Sequence, residues 1–386
     1  MSRSLLLLVP RIGAPSEMFV ASHVNALAPD VSCSVIAREV LANPFWSAEP
    51  PVVDLGVRTL APYQSRRYRL AKRWIPSRIT GAPPRADPAT VSAITQALAD
   101  APDTAILAEY LDAWAGALLA APLGDRPVVV RSHGYDVSFR LRYRGWVERY
   151  KLLAERVTIA TCSNYSRDLL IDAGVPGERI VTVANGVDPS LFGGTCRRQR
   201  SVGEPFRVLS VGRLVKKKDP RPTIAAIRRL RDQGIDASLT IAGEGGMRRQ
   251  VEECIEAHHL TAHVKLLGSV SHFEVIELLQ NADAFVQHSV TAAGGDEEGM
   301  PMSVLEAMAS GLAVVGTRHA GIPEAIGDCG HLIDPGDTEG LLGSLRSIAE
   351  DPSEALQLGA RARARISEFH SWELERAGLR KLLEID

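Results

Sequence analysis

The chain has 386 residues and a mass of 41.7 kDa, more than one hydrophobic core usually organises, so we predict two domains. Its composition, 45% hydrophobic and 23% charged, is that of a globular protein and excludes disordered, collagen-like and membrane-spanning classes. The formal net charge of −2 gives the whole chain no basic footprint of the kind that nucleic-acid-binding proteins carry.

Short apolar runs alternate with helix-like segments through the first half of the chain. The runs that we predict as strands are 5–9, 32–37, 105–108 and 127–132. Because these runs are continuously apolar, they indicate strands covered on both faces, as in a parallel sheet between two layers of helices. We expect neither a signal peptide nor a membrane-spanning segment, since every apolar run is too short for either.

The alternation is interrupted once and then restarts. An irregular stretch rich in Gly, Arg and Ser predicts a linker over 193–205. The predicted strands beyond it are 206–212, 238–243, 264–268, 284–289 and 312–317. We therefore expect two doubly wound α/β domains, over 1–192 and 206–368, and a C-terminal segment over 369–386.

The cysteines indicate the compartment. They are Cys33, Cys162, Cys196, Cys254 and Cys329. Their number is odd and none forms a CxxC pair, so neither a disulfide framework nor a zinc site is indicated. We expect a reducing, cytoplasmic environment.

Two segments of the first half combine arginine with aromatic residues. The segment 63–85 contains no acidic residue, and 139–151 has the sequence FRLRYRGWVERYK. This combination suits a phosphate-bearing acceptor or the anionic inner face of the plasma membrane. It is also typical of a solvated face above core aromatics, which is the commoner case. Both hypotheses stay open at this stage.

A pair of glutamates accompanies a predicted helix over about 301–310. Glu298 lies in the preceding loop and Glu306 lies inside the helix. The amino terminus of such a helix presents unpaired N–H groups and a positive dipole to an anion. Two glutamates at this spacing are a weak signal by themselves, because an exposed helix glutamate is common.

Cations follow the strand at 206–212. Arg213 and the lysines at 216–218 lie just beyond the carboxyl end of this strand, where open α/β sheets bind ligands. An arginine and a lysine at that place can clamp a diphosphate, although a solvated basic turn is equally compatible with the pattern. The next strand is followed by a glycine turn with Gly243, Gly245 and Arg248.

The first half has comparable strand ends. Gly13 belongs to the loop after the first strand, and His133 and Asp136 follow the strand at 127–132. Glu109 and Tyr110 end the run at 105–108, and together with Asp136 they are our candidate acceptor contacts.

Four ordered motifs resemble the retaining glycosyltransferases of family 4, which have the GT-B fold. The motifs are Glu298-GMPMSVL-Glu306, VGRL with Arg213 and Lys218, NGVD at 185–188, and the glycine segment with Gly243, Gly245 and Arg248. The resemblance implies two Rossmann-like domains facing a cleft, with a C-terminal helix that crosses back to the first domain. The HGYD at 133–136 is similar to a bacterial branch that builds exopolysaccharide or lipid-linked repeat units.

The resemblance also implies roles for individual residues. Arg213 and Lys218 would hold the donor diphosphate, and Glu306 would bind the ribose. Glu298 would bind sugar hydroxyls, and His133 would contact the donor. The other implied donor-binding residues are Gly13, Gly243, Gly245, Arg248, Gly299, Met300, Pro301, Met302 and Ser303.

The implied chemistry is metal-independent transfer from a nucleotide sugar, UDP- or GDP-linked, to a glycan or lipid-linked acceptor. No Asp-x-Asp motif occurs in the sequence, which agrees with this implication. The first loop lacks the family's paired glycines, so its phosphate contact is the least supported. Alternatives are a sugar-nucleotide epimerase, transfer to a small soluble acceptor, and a non-catalytic sugar-nucleotide binder. A Rossmann oxidoreductase is disfavoured because no GxGxxG follows the first strand.

Overall fold

The protein is described from a computed structural model that covers residues 3–12, 27, 31–40, 52–54, 83–193, 200–201 and 203–385. The chain divides into two compact units. Unit 1 comprises Met1–Val183 with Arg376–Asp386, and unit 2 comprises Ala184–Glu375.

Unit 1 is built on a parallel sheet of seven strands in the order β3-β2-β1-β4-β5-β6-β7. The strands are β1 (Leu5–Ile12), β2 (Cys33–Val40), β3 (Val52–Asp54), β4 (Ala105–Glu109), β5 (Val128–Ser132), β6 (Thr158–Thr161) and β7 (Ile180–Thr182). Leu6 and Leu8 of β1 belong to one core cluster, whereas Leu5 and Leu7 belong to another. Both faces of the sheet are therefore buried, which is why these strands are apolar at every position.

The described helices of unit 1 cover this sheet. They are α1 (Pro88–Asp100), α2 (Leu111–Ala120), α3 (Tyr135–Ser138), α4 (Arg144–Ala154) and α5 (Asn164–Asp172). Asp87 and Ser163 cap α1 and α5 by accepting a hydrogen bond from a backbone N–H of the first turn.

Unit 2 is built on a second parallel sheet, with six strands in the order β10-β9-β8-β11-β12-β13. The strands are β8 (Phe206–Val211), β9 (Ala237–Ala242), β10 (Val264–Gly268), β11 (Ala284–Gln287), β12 (Ala313–Thr317) and β13 (His331–Ile333). The helices are α6 (Arg221–Asp232), α7 (Arg248–Ala257), α8 (His272–Asn281), α9 (Met302–Ala309), α10 (Ile322–Ile326), α11 (Thr338–Glu350) and α12 (Pro352–Phe369).

Each sheet has a topological switch point. The chain leaves β1 toward β2 and returns to place β4 on the other side of β1, and β8 and β11 repeat this arrangement in unit 2. In doubly wound sheets, ligands bind at the carboxyl ends of the two strands that flank the switch. The fold therefore selects the loops after β1 and β4, and those after β8 and β11, as candidate sites.

The boundary between the units differs from the predicted linker. Unit 2 begins at Ala184, because the turn at 185–187 packs on the segment between α12 and the last helix, α13 (Trp372–Leu383). The Val187 amide donates to the His370 carbonyl at 2.9 Å, and the Trp372 amide donates to the Val187 carbonyl at 3.0 Å. A Cβ on Gly186 would lie 2.4 Å from the Ser371 carbonyl oxygen, so only glycine fits at this turn.

Helix α13 begins in one unit and ends in the other. Trp372 is half-buried and belongs to unit 2, whereas Leu379, Leu383 and Ile385 are buried in a core cluster of unit 1. The residues of this C-terminal segment that join the core of unit 1 are therefore Leu379 and Leu383, about two and three turns beyond Trp372, and Ile385, just after the helix ends.

Other differences concern lengths. The predicted helix over 301–310 is observed as Met302–Ala309, with Pro301 as the capping residue before it. The strands β3, β6, β7 and β13 were not predicted, and each has only three or four residues.

Over the described part of the chain, every helix falls short of the length and apolarity needed to cross a bilayer. Cys33, Cys162, Cys254 and Cys329 are free thiols.

Candidate functional site

The two predicted catalytic residues Lys218 and Glu298 form an ion pair at the switch point of unit 2. Lys218 follows β8 and Glu298 follows β11, and the lysine Nζ lies 3.1 Å from the carboxylate Oε1. The lysine side chain is 14% exposed and that of Glu298 is 8% exposed. Two sequence segments eighty residues apart thus place opposite charges together because their strands are neighbours in the sheet.

Gln287, the last residue of β11, connects this pair to helix α9. Its Oε1 accepts hydrogen bonds from Lys218 Nζ at 3.4 Å and from the Ser303 hydroxyl at 3.3 Å. Asn185 supports the loop before the helix by donating from Nδ2 to the Met300 carbonyl at 3.2 Å. The loop from Glu298 to Pro301 is buried, so the start of α9 is held against the ion pair.

Arg213 adds an exposed positive charge beside this pair. Its side chain has no ion pair or hydrogen bond with any other residue of the described ranges, yet its charge acts on both Lys218 and Glu298. An exposed guanidinium next to a buried ammonium is suited to bind an anionic ligand with several oxygens.

Burial and charge act in opposite directions on the Lys218–Glu298 pair. Burial lowers the pKa of Lys218, as do the charges of Lys217 and Arg213, whereas Glu298 raises it. Burial would raise the pKa of Glu298, but Lys218, Lys217 and Arg213 together lower it below its usual value. Glu298 is therefore ionised, and its negative charge stabilises the positive charge of Lys218 although both side chains are largely buried.

Glu306 lies one turn inside α9, next to the first residue of α8. Its Oε1 is 3.7 Å from Nδ1 of His272. Burial raises the pKa of Glu306, although His272 and Lys218 act against this change. We define the unit 2 cluster as Arg213, Lys218, Glu298, Ser303 and Glu306, all of which we predicted as donor contacts.

The glycines after β8 and β9 have a structural reason. A Cβ on Gly243 would lie 1.9 Å from the Gly212 carbonyl oxygen, and one on Gly245 would lie 2.3 Å from that of Leu214. The two loops are in backbone contact here, because the Leu214 amide donates to the Glu244 carbonyl at 2.8 Å. Close packing of the loops thus accounts for these glycines without a ligand.

Arg248, predicted beside them, is bound to neighbouring acids. It forms ion pairs with Glu244 and Glu252, the latter at 2.8 Å, and all three side chains are partly exposed. The structure gives Arg248 no described contact with the unit 2 cluster. Its donor-binding role stays a prediction.

In unit 1, the predicted residues gather at the carboxyl ends of β4 and β5. His133 Nε2 lies 2.7 Å from the Glu109 carboxylate, and the Tyr110 ring contacts the imidazole with centroids 4.5 Å apart and the ring planes tilted by 44°. Tyr110 has a φ of 72°, an uncommon conformation for a residue other than glycine. Residues held in such conformations often cluster at functional sites, which is compatible with a functional role for this group of side chains. The predicted Gly13 lies outside the described residues.

Asp136 supports the backbone around His133. It is fully buried and accepts backbone hydrogen bonds from His133 at 2.8 Å and from Leu111 at 2.9 Å. Burial, with the charge of Asp112, raises the pKa of Asp136 to about 6. Asp136 thus orients the loop that carries His133, and we find it buried and in contact with backbone, which argues against a direct acceptor contact.

This raised pKa predicts a pH dependence of stability. Between about pH 4 and 6, the folded state retains a proton on Asp136 that the unfolded state has lost, so stability falls as the pH rises through this interval. The fall amounts to on the order of 3 kcal/mol. In Asp136→Asn this contribution disappears, and urea unfolding from pH 4 to 6.5 should show a flatter dependence. Asp125→Asn, at an exposed site, should retain the original slope; equal slopes for all three proteins would contradict the assignment.

Several side chains of the basic and aromatic segment 139–151 make contacts within unit 1. Arg140 binds Asp112 at 2.7 Å and lies over the rings of Tyr135 and Trp146 at 5.1 and 4.6 Å. Trp146 is buried in the core. The second segment, 63–85, is described only from residue 83. The contacts of Arg140 hold its side chain within unit 1, and a membrane-binding role for 139–151 stays a prediction.

A cavity of about 380 Å³ in unit 2 does not coincide with the cluster. It is lined by Phe206 and Ala313, the first residues of β8 and β12, and so lies at the amino ends of the strands. Gly193 and Arg200 border it from either side of 194–199, which lie outside the described residues. Ligands of doubly wound sheets bind at the other edge, so we do not assign this cavity to the site.

Three residues of the site were not predicted. Gln287 is the last residue of β11, His319 follows β12, and Lys217 precedes Lys218. His319 Nε2 lies 3.3 Å from the Thr291 hydroxyl in the loop that leads to Glu298. Their position at or just after the end of a strand of the same sheet was the signal that could have indicated Gln287 and His319.

Comparison with known families covers most of the chain. Residues 196–365 match the family described as "Glycosyl transferases group 1", and residues 50–191 match "Glycosyltransferase Family 4". The two matches follow one another along the chain and together include the unit 2 cluster and the residues around His133.

Two curated relatives are similar in sequence. The amylovoran biosynthesis glycosyltransferase AmsK of Erwinia amylovora is 33% identical over 255 residues, which are 65% of this chain and 62% of AmsK. The putative colanic acid biosynthesis glycosyltransferase WcaL of Escherichia coli K12 is 32% identical over 256 residues, 65% of this chain and 63% of WcaL. The match thus spans less than two thirds of each relative.

The fold is also found in a solved structure. The crystal structure of the Anabaena HepE protein in complex with UDP superimposes with a TM-score of 0.75 at 19% identity, covering 98% of this chain and 99% of HepE. Together with the two parallel sheets, this likeness confirms the predicted fold class of paired Rossmann-like α/β domains.

Proposed function

Since the chain belongs to the glycosyltransferases of group 1 and family 4, which have the GT-B fold, we propose that it is a retaining hexosyltransferase acting on a nucleotide-diphosphate sugar. We propose that the acceptor is a glycan or a lipid-linked glycan in surface-polysaccharide biosynthesis, and that transfer requires no metal ion. The relatives AmsK and WcaL, named for amylovoran and colanic acid biosynthesis, support this kind of acceptor.

One observation carries the proposal: an exposed arginine and a buried lysine–glutamate pair at the switch point of unit 2. Arg213 and Lys218 offer two cations to an anion, and the diphosphate of a nucleotide sugar carries charge on both phosphates. The complexes of HepE with UDP and with UDP-glucose support such a donor. The ion pair that holds Lys218 in place distinguishes this arrangement from a solvated basic turn, in which each lysine would be exposed and unpaired.

The remaining members of the unit 2 cluster fit other parts of the same donor. Glu298, with the amides of Gly299 and Met300, would accept and donate hydrogen bonds with the sugar hydroxyls. Glu306, further along α9, would bind the ribose hydroxyls, and Ser303 lies between the two carboxylates in the sequence. A carboxylate accepts hydrogen bonds from vicinal hydroxyls, and this is why acidic residues suit both positions.

The proposed reaction breaks the bond between the sugar's anomeric carbon and the diphosphate oxygen. The electron pair goes to that oxygen, whose negative charge Lys218 and Arg213 stabilise. The acceptor hydroxyl attacks the same face of the sugar, and its proton moves to the departing phosphate oxygen, so configuration is retained. Catalysis here depends mainly on positioning and on electrostatic stabilisation of the leaving group. The implied donor contact of His133 stays a prediction.

Thermal stability in the presence of nucleotide sugars tests the donor. At a hundredfold excess over Kd, a ligand stabilises the folded state by about 2.7 kcal/mol, which corresponds to a Tm increase of roughly 5–10 °C for domains of this size. We expect this increase with either UDP-sugars or GDP-sugars, measured in a panel that also includes ADP-sugars. Absence of a shift with every nucleotide sugar and nucleoside diphosphate would contradict the proposed function.

Incubation with the stabilising donor, labelled in its sugar, separates transfer from its alternative. Radiolabel that moves into a lipid or polysaccharide extract supports the transferase, whereas a new sugar nucleotide formed without any acceptor indicates an epimerase.

A further inference from the structure

The three consecutive lysines after β8 lie in three different environments. Lys216 is exposed and has no described partner, whereas Lys218 pairs with Glu298 as set out above. Lys217 is the most buried of the three, with only 4% of its surface exposed. A buried lysine is costly unless it is paired, so this residue requires its own explanation.

Lys217 binds the loop that ends at Glu298. Its Nζ lies 2.8 Å from the Asp296 carboxylate and donates to the Glu297 carbonyl at 2.7 Å. Its own carbonyl accepts a hydrogen bond from the Val290 amide at 2.8 Å. A single residue thus holds both the beginning and the end of the loop over 290–298.

Other contacts of the loop lie within it or reach the residues after β12, where His319 Nε2 is 3.3 Å from the Thr291 hydroxyl. The loop contains Gly294 and Gly295, the latter with a φ of 77°, and much of it is exposed. Inside the loop, the Ala292 amide bonds to the Asp296 carbonyl at 3.1 Å and the Thr291 hydroxyl donates to Glu297 at 2.8 Å. These contacts bend the loop, but they do not attach it to β8.

We propose that Lys217 is a positioning residue, which attaches the 290–298 loop to the end of β8 so that Glu298 meets Lys218. This inference rests on the proposed function for its catalytic consequence. The two adjacent lysines bind two acids that lie two residues apart and in the same order, Lys217 with Asp296 and Lys218 with Glu298. The first pair therefore fixes the position along the loop from which Glu298 reaches Lys218. Lys217 itself would not touch the donor.

The test breaks the Lys217–Asp296 ion pair by substituting Asp296, the more exposed of its two residues. Asp296 is 27% exposed, so Asp296→Asn keeps the shape of the side chain and the fold while it removes the charge that binds Lys217. We expect kcat for sugar transfer to fall roughly tenfold to hundredfold, because small displacements of a reacting constellation cost rates of that order. The Kd for UDP or GDP should stay within about twofold, because the nucleoside diphosphate needs Arg213 and Lys218 and not the loop.

Three further variants, one of them a control, distinguish a positioning role from a general loss of stability. Asp296→Glu restores the carboxylate and should recover most of the lost kcat, whereas Lys217→Met should reproduce the loss. Lys216→Met is the matched control on the same turn and should leave kcat unchanged. Equal kcat in all four variants, or a loss of kcat that only follows a fall in Tm and that Asp296→Glu does not reverse, overturns the inference.

Amide hydrogen exchange gives a readout that does not need activity. The amides of 290–298 should exchange faster in Asp296→Asn than in the unsubstituted protein and in Lys216→Met. Unchanged exchange overturns the role of Lys217 whatever the kinetics show. Absence of sugar transfer by the unsubstituted protein instead overturns the proposed function, so the two failures are distinguishable.

Discussion

Lys218→Ala is expected to lower kcat for sugar transfer by about 10²–10³-fold, the usual effect of removing one preorganised group that stabilises developing charge. The ammonium is held by Glu298 at 3.1 Å and by Gln287 at 3.4 Å, so it is in place before the leaving group becomes charged. Initial rates at saturating donor and acceptor measure this effect. Lys216→Ala, two residues earlier and exposed, serves as the control and should retain the original rate.

The same substitution also affects stability. Loss of the ammonium leaves the carboxylate of Glu298 buried without its partner, which typically costs about 3–5 kcal/mol. Lys218→Met combined with Glu298→Gln removes both charges and preserves the packed volume. The free energy of unfolding of this double variant should therefore be closer to that of the unsubstituted protein, although the variant should remain inactive. Near-normal transfer and donor hydrolysis by Lys218→Ala would contradict the assignment of the diphosphate clamp.

Gly243→Ala is expected to destabilise unit 2 by on the order of 4 kcal/mol or more, an effect confined to a few mechanisms such as severe backbone clash. The added Cβ would lie 1.9 Å from the Gly212 carbonyl oxygen, and the φ of 147° is unfavourable for any residue with a Cβ. Urea unfolding followed by circular dichroism measures the loss. Here the obstacle is backbone, so no side-chain rearrangement relieves it.

Gly246→Ala in the same loop is the matched comparison. A Cβ at Gly246 meets nothing within 4 Å, and we expect a change in stability below about 1 kcal/mol. If both variants are equally stable and only Gly243→Ala loses nucleotide binding, then Gly243 serves the ligand and not the packing of the two loops.

The architecture could be predicted because both faces of both sheets are buried. Leu5 to Val9 and Ala105 to Ala108 are apolar at every position, and this pattern distinguishes a covered parallel strand from an edge strand. The short strands at Val52–Asp54 and His331–Ile333 lie at sheet edges, where three residues with one neighbour give no comparable pattern. They form because an adjacent strand offers hydrogen bonds to their backbone, and this neighbour is known only from the three-dimensional structure.

The site could be predicted only in part, and for a related reason. The sequence predicts Lys218 because it follows a strand end, and Glu298 because it lies in the loop before a predicted helix and in a motif that resembles the family's. The burial of Lys217 could not be found, because three adjacent lysines have the composition of a solvated turn. Likewise, the sequence suggests Asp136 as an acceptor contact, whereas the structure shows its carboxylate buried and bound to the backbone N–H groups of His133 and Leu111.

The chain passes between the two units twice, at Val183–Ala184 and again within α13 at Glu375–Arg376. Unit 2 is therefore continuous in the sequence, whereas unit 1 is not: Leu379, Leu383 and Ile385 belong to its core and are translated about two hundred residues after β7. Unit 1 therefore cannot complete its core before this C-terminal segment has been synthesised, and until then the apolar side chains that these residues cover are exposed to aggregation and to chaperones.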